Sequence, residues 1–309
     1  MLTNRILETL RFFDLQDSPL TLLELHTFLL PEKDALHAGL DPQHELAQGK
    51  TLGEFAKISA GEIFEALNTE LSAGVECHNG FYCLRGRGEI VAQRLHNYSH
   101  GLFREKRIAR FARGLRHVPF VRGVGLAGSQ VLGQQKEGSD IDLFIITDPK
   151  RMWLARTLVT AYFQVLGLRR HGRAVKNRFC LNHYIADYKK LDKHRNLYTA
   201  LEYAKLRPLV YSQGVRQFHK KNQLWIKGFY PNWQILHKDE EPVSAFQKFL
   251  EKAFLGGFGQ WLENFLRSWQ LPKIRTEKYI LVEDNELSFH PDSKQEFLLK
   301  RFFENQAEQ

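Results

Sequence analysis

Apolar residues recur at helical spacing over residues 3–14 and again over 20–30. The stretch "DLQDSPL" breaks the run, and Pro19 stands where it can open the second helix. Residues 31–52 are polar and irregular and read as a loop or insertion. A third helix is predicted over 59–72, with Ile63, Phe64, Leu67 and Leu71 on one face. Next comes Asn79-Gly80, a strong hairpin signal, between "VEC" and "FYCL". Three helices followed by a hairpin predict a winged helix-turn-helix over residues 1–90. A long basic amphipathic helix covers 89–117. Strands are predicted at 120–127, 141–147 and 179–187, with a helix over 149–168 between the last two. From about 194 the chain reads mostly helical, broken by the strand-like "KYILVEDNELSFH". Within that part Phe246, Phe249, Phe254, Phe258, Trp261 and Phe265 recur at helical spacing, which predicts core packing. The expected class is α+β: residues 1–90, a linker helix at 91–117, a mixed-sheet domain at 118–210, and a mainly helical region at 211–309.

The 309 residues are 43% hydrophobic, enough for two or three domains with real cores. No run of about 18 apolar residues occurs, so no membrane partner is expected. The first residues lack the layout of a signal peptide, and Cys77, Cys83 and Cys180 have no metal or disulfide spacing. A cytoplasmic location is the expectation. The formal net charge is +9, unevenly spread: −6 over residues 1–100, +13 over 101–195 and +2 over the remainder. This basic band makes RNA or DNA a plausible partner along 101–195. The third helix argues against sequence-specific DNA reading by the N-terminal module. It carries Glu62, Glu65 and Glu70 and no cation, so only Arg85 and Arg87 at the end of the wing suit a phosphate. An acidic surface of this kind suits a protein partner.

Within the basic band lies "GLAGSQVLGQQKEGSDIDLFIIT", residues 125–147. Residues two apart on a strand share a face, so Asp140 and Asp142 project side by side while Ile141 and Leu143 face the other way. Two such carboxylates repel unless a cation lies between them or one is protonated. Magnesium prefers hard oxygen ligands and shares them with phosphates. Upstream, Gly128 lets backbone approach a ligand, and Ser129 with neighbouring N–H groups can hold phosphate oxygens.

The Gly-Ser pair, ten intervening residues, and Asp140-Ile141-Asp142-Leu143 resemble the signature of the DNA polymerase β-like nucleotidyltransferase superfamily. The resemblance covers about 90 residues, 118–210. It implies a mixed sheet flanked by helices, with Asp140 and Asp142 as catalytic ligands of Mg²⁺ or Mn²⁺. Gly128, Ser129 and Ser139 would serve the β- and γ-phosphates of a nucleoside triphosphate such as ATP. The implied reaction is in-line attack of a hydroxyl on the α-phosphorus with release of pyrophosphate.

The family's third carboxylate, on the later strand, has no evident counterpart in "FCLNHYIAD". Asn182 is central there and can ligate a metal through its amide oxygen but brings no charge, Asp187 at the strand's end is a further candidate metal ligand, and His183 is either a base or a hydrogen-bonded strand histidine. Two acids suffice, or Asp187 or His183 substitutes, or catalysis has been lost. The basic loop with Arg169, Arg170, His171, Arg173, Lys176 and Arg178 either clamps the triphosphate, chiefly through Arg170 and Lys176, or holds a polynucleotide, or is a solvated loop. Two functions follow as expectations. The first is a metal-dependent nucleotidyltransferase acting on a nucleic-acid or protein hydroxyl, with small-molecule acceptors open. The second is a non-catalytic regulator whose degenerate domain senses nucleotide or binds nucleic acid.

Overall fold

A computed structural model of the chain describes residues 1–33, 36, 58–186, 195–236, 241–275, 281–283, 285–288 and 292–307. Most of the expected 31–52 loop lies outside the described residues. The N-terminal part contains α1 (Leu2–Asp14), the two-residue β1 (Leu20–Thr21), α2 (Leu22–Thr27), α3 (Ala60–Asn68), and the hairpin β2 (Val75–His78) and β3 (Phe81–Leu84). The second helix is shorter than its apolar pattern predicts, because Leu20–Thr21 pairs with β3 before the helix starts. A capping box then begins it: Thr21 and Glu24 satisfy each other's backbone N–H groups. Asn79 (φ 51°) and Gly80 (φ 80°) both take left-handed backbone, as a two-residue hairpin turn with the twist of its strands requires.

The basic α4 (Glu89–Arg113) is a strut rather than a bare linker. Arg94, almost fully buried, pairs with Glu24 of α2. Further along, Glu105 receives a bidentate pair of hydrogen bonds from Arg207 at 2.8 and 3.0 Å. A single helix therefore ties the N-terminal helices to the sheet that follows.

That sheet has six strands in the order β7-β4-β5-β6-β9-β8. Its members are β4 (Val121–Leu126), β5 (Ile141–Thr147), β6 (Phe179–Ala186), β7 (Arg207–Val210), β8 (Leu281–Glu283) and β9 (Glu286–Ser288). Only β5 and β6 run parallel, joined by the crossover helix α5 (Met152–Val165); the other neighbours are antiparallel. The last two strands come from the C-terminal "LVEDNELS", so the sheet extends beyond 118–210 and is a mixed sheet.

Strand alternation sorts β5 onto two cores. Ile141, Leu143 and Ile145 pack toward α5 and α9 (Gly257–Arg275), while Phe144 and Ile146 pack toward α6 (Leu197–Ala204) and α7 (Ser212–Phe229). The remaining helices are α8 (Ala245–Ala253) and α10 (Asp292–Ala307). No helix among the described residues is long and apolar enough to cross a membrane.

The N-terminus of α5 has no cap from its own chain neighbours. Buried Glu263 of α9 supplies one, accepting from the Trp153 and Leu154 N–H groups at 2.8 Å each. Glu263→Ala leaves two buried donors orphaned, and urea unfolding should show a loss of about 2–3 kcal/mol.

The C-terminal aromatics are not core. Phe246, Phe249, Phe258, Trp261 and Phe265 are each more than half exposed, and only Phe254 of that set packs against a core cluster. The inward face of α9 is built instead from Leu262, Glu263, Leu266, Gln270 and Ile274. The helix is apolar on both sides, and the Glu263 cap decides which side turns in.

Candidate active site

β4 ends at Leu126, and the chain turns at Ala127-Gly128 into a single 3-10 turn, Gly128–Gln130. The turn is bolted to the neighbouring strand: Ala127 N–H donates to the Asp142 carbonyl at 3.0 Å. Gly128 has φ +73°, and a Cβ there would sit 2.4 Å from Asp142 Oδ2. Only glycine fits against the acid. Ser129 is exposed at the corner, and both residues line a cleft of about 1650 Å³ that also contains Asp140, Asp142 and Ser139.

Asp140 and Asp142 do share a face. Asp142 lies on the same side of β5 as Phe144 and Ile146, and ligand atoms of Asp140, Asp142 and Cys180 all lie within 4.8 Å of one another. Burial, then the charge of Asp140, then that of Glu202 push the Asp142 carboxyl from its ordinary 3.8 up to about 7. The pair is thus held under the repulsion that a bound cation would relieve.

In this structure a guanidinium takes part of that role. Arg170 Nη1 lies 2.6 Å from Asp140 Oδ2 and 3.2 Å from Cys180 Sγ. Lys176, from the same basic loop, pairs with Glu137 at 2.5 Å and is not among the residues lining the cleft. Ser139 contributes its carbonyl to an unexpected partner, Arg104 of α4. Arg104 donates to the Ser139 carbonyl at 2.7 Å and to the Asp140 carbonyl as well. It is buried, and burial lowers its pKa against the raising influence of Asp140 and Asp142. Nothing in the spacing of basic residues on α4 marks Arg104 as the one that fixes the acid loop.

The later strand departs from simple alternation. Asp142 pairs with Cys180, but Phe144 pairs with His183, so β6 carries an extra residue between them. Asn182 falls at that register shift; its side chain, like all of Asp187, lies outside the described residues. Cys180 therefore occupies the position beside Asp142. Burial, then the Asp142 charge, raise its thiol to about 12. His183 is buried with its Nε2 3.3 Å from Oε1 of Glu286 on β9, a strand histidine in a polar pair.

Two carboxylates and a corner of backbone N–H groups fit a hard divalent ion that shares its coordination with phosphate oxygens. The soft sulfur of Cys180, though within reach of both acids, suits a hard ion less well than their oxygens do. On α6, Glu202 also lines the cleft, paired with Lys205 at 2.5 Å. Its charge is the main cause that raises the neighbouring Tyr198 hydroxyl. Neither residue carries a sequence signal, because helical spacing alone does not aim a side chain at a distant strand.

The family model described as nucleotidyltransferase domain matches residues 108–212. No curated protein and no solved structure matches the chain. The matched segment holds the Gly-Ser corner, both aspartates, α5 and β4 to β7. Residues 108–212 are a nucleotidyltransferase domain of the DNA polymerase β-like superfamily.

Proposed function

We propose that the protein transfers a nucleoside monophosphate from a nucleoside triphosphate to a hydroxyl acceptor. The observation that carries this reading is the contact of Gly128 with Asp142, which puts a phosphate-sized corner directly beside a paired-carboxylate site. Asp140 and Asp142 would hold Mg²⁺ or Mn²⁺, whose charge would offset that of the triphosphate. Ser129 and the N–H groups of the corner would receive the terminal phosphates. On this reading Arg170, engaged with Asp140 before substrate arrives, releases the carboxylate and turns to a phosphate oxygen, and Arg104 keeps the acid loop in place throughout.

Among the acids lining the cleft, Glu286 is tied to His183 and Glu202 to Lys205, and Glu202 is the one whose charge reaches Asp142. Glu202 is thus the best-placed further carboxylate to accept the acceptor's proton. The N-terminal helices and sheet suit a winged helix-turn-helix used for protein contact. Glu62, Glu65 and Glu70 are exposed, whereas Arg87 is held by Asp14, Asp17 and Glu89, and Arg85 by the Ser72 and Ala73 carbonyls. That leaves the wing poorly equipped for DNA phosphates.

Cys180 at the position beside Asp142 favours a second reading, a nucleotide sensor without transfer. Incubation with each α-³²P-labelled nucleoside triphosphate, Mg²⁺ and RNA, DNA or protein acceptors separates the two. Label transfer that Asp140→Ala abolishes supports the enzyme. Nucleotide binding without transfer to any acceptor supports the sensor and sinks the enzymatic reading.

A further inference from the structure

We infer that the solvent face of α8 and α9 is a track for single-stranded nucleic acid leading into the nucleotidyltransferase cleft; the inference rests on the transfer reading for its destination and names the acceptor class. On α9, Phe258, Trp261, Phe265 and Trp269 follow one another at helical spacing, and each is more than half exposed. Their rings form a ladder. Phe258 and Trp261 are 6.0 Å apart at 27°, and Trp261 and Phe265 are 5.7 Å apart at 14°. Trp269, one turn further on, carries the Lys273 ammonium 3.8 Å from its ring centre. From Phe258 to Trp269 the helix advances about 16 Å.

Charge selects the occupant. Among the described residues, the exposed charged side chains of the two helices are Lys248, Lys252, Arg267 and Lys273, all positive. The acids of these helices are turned inward: Glu251 binds Arg122, and Glu263 caps α5. Beside Phe246, which packs edge-on against His117, lies a hollow lined by Arg110, Arg113 and Arg116. Aromatic faces interleaved with cations, with the described acids of both helices turned inward, suit unpaired bases on a phosphate backbone.

Position supports the same partner. Trp269 and Lys273 also line the cleft that holds Asp140 and Asp142, so the ladder ends at that cleft. A second copy of this chain would bring like charges together across a two-fold contact. A bilayer seated on the ladder would cover the cleft mouth at Trp269.

Fluorescence anisotropy with a labelled 20-nucleotide single-stranded RNA, the same DNA and its duplex tests the inference on the full chain. The expected result is salt-sensitive binding that prefers single strands. It weakens at least about tenfold in Trp261→Ala/Phe265→Ala, with an unchanged melting temperature because both rings are exposed. Lys248→Glu/Lys252→Glu should weaken binding and flatten its salt dependence. Absence of single-strand binding at 50 mM salt, or equal binding by the aromatic double variant, overturns it. So does finding that the ladder rings are needed instead for flotation with phosphatidylserine vesicles or for a sedimenting dimer. Asp140→Ala should keep full oligonucleotide binding. If the ladder binds but no acceptor is ever labelled, the track stands and the enzymatic reading falls. If label goes to a protein or small molecule regardless of Trp261 and Phe265, the track falls and the enzyme stands.

Discussion

Asp142→Asn should abolish nucleotidyl transfer by at least about a thousandfold while making the protein more stable at pH 8. The carboxyl's rise from 3.8 to about 7 means that folding binds it to a proton more tightly than the unfolded chain does. Between those values the folded state carries more protons, so stability falls as pH rises through the window. Above about pH 7 the ionised group sits in the fold at its full cost. That rise is worth about 4 kcal/mol at 1.36 kcal/mol per tenfold change, and water at the cleft mouth trims it to about 2. An asparagine of the same shape carries none of this cost. Urea unfolding of the two proteins should therefore diverge between about pH 4 and pH 7 and run parallel above pH 7. Millimolar Mg²⁺ should raise the stability of the parent at pH 8 and leave Asp142→Asn unmoved. A variant that is less stable than the parent at pH 8, or that still gains from Mg²⁺, would show that Asp142 is not under ionic strain.

The acid pair was legible because a strand has a period of two, and nothing about tertiary packing changes which side chains share its face. The hairpin at Asn79-Gly80 was legible for a similar reason: two consecutive left-handed residues are a local demand that few dipeptides meet. The extra residue in β6 was not legible. Its register depends on which partner strand it meets: Asp142 meets Cys180, and the shift that follows puts His183 rather than Asn182 beside Phe144. The aromatic face of α9 was misread because helical spacing reports that apolar residues lie on one side, not which side meets solvent. Here both sides are apolar, and a single buried carboxylate, Glu263, turned Trp261 and Phe265 outward. No sequence pattern distinguishes Arg104, a buried cation, from the exposed arginines of α4. The basic band was visible as a total. Its division into an internal brace and an external surface belongs to the fold.

Gly128→Ala should cut transfer about a hundredfold with little loss of fold. A non-glycine residue at φ +73° costs about 1 kcal/mol, and that alone would be tolerable. The new methyl meets Asp142 Oδ2 at 2.4 Å, a contact that something must relieve. The backbone on either side has little freedom, because Ala127 N–H is bonded to the Asp142 carbonyl and the Ser129 carbonyl accepts from Gln134 N–H at 2.9 Å. The carboxylate is the softer partner, so it swings away from the corner and from Asp140. Metal and phosphate sites then separate by a fraction of an ångström, enough to lose most of the rate without unfolding the sheet. Gly138→Ala is the matched control: it lies in the same loop, yet its Cβ would meet nothing within 4 Å and its φ is not positive. Transfer rates and Mn²⁺ affinity should fall together in the Gly128 variant and hold in the Gly138 one. Equal loss in both would mean that loop stiffness, rather than the contact between Gly128 and Asp142, sets the geometry of the site.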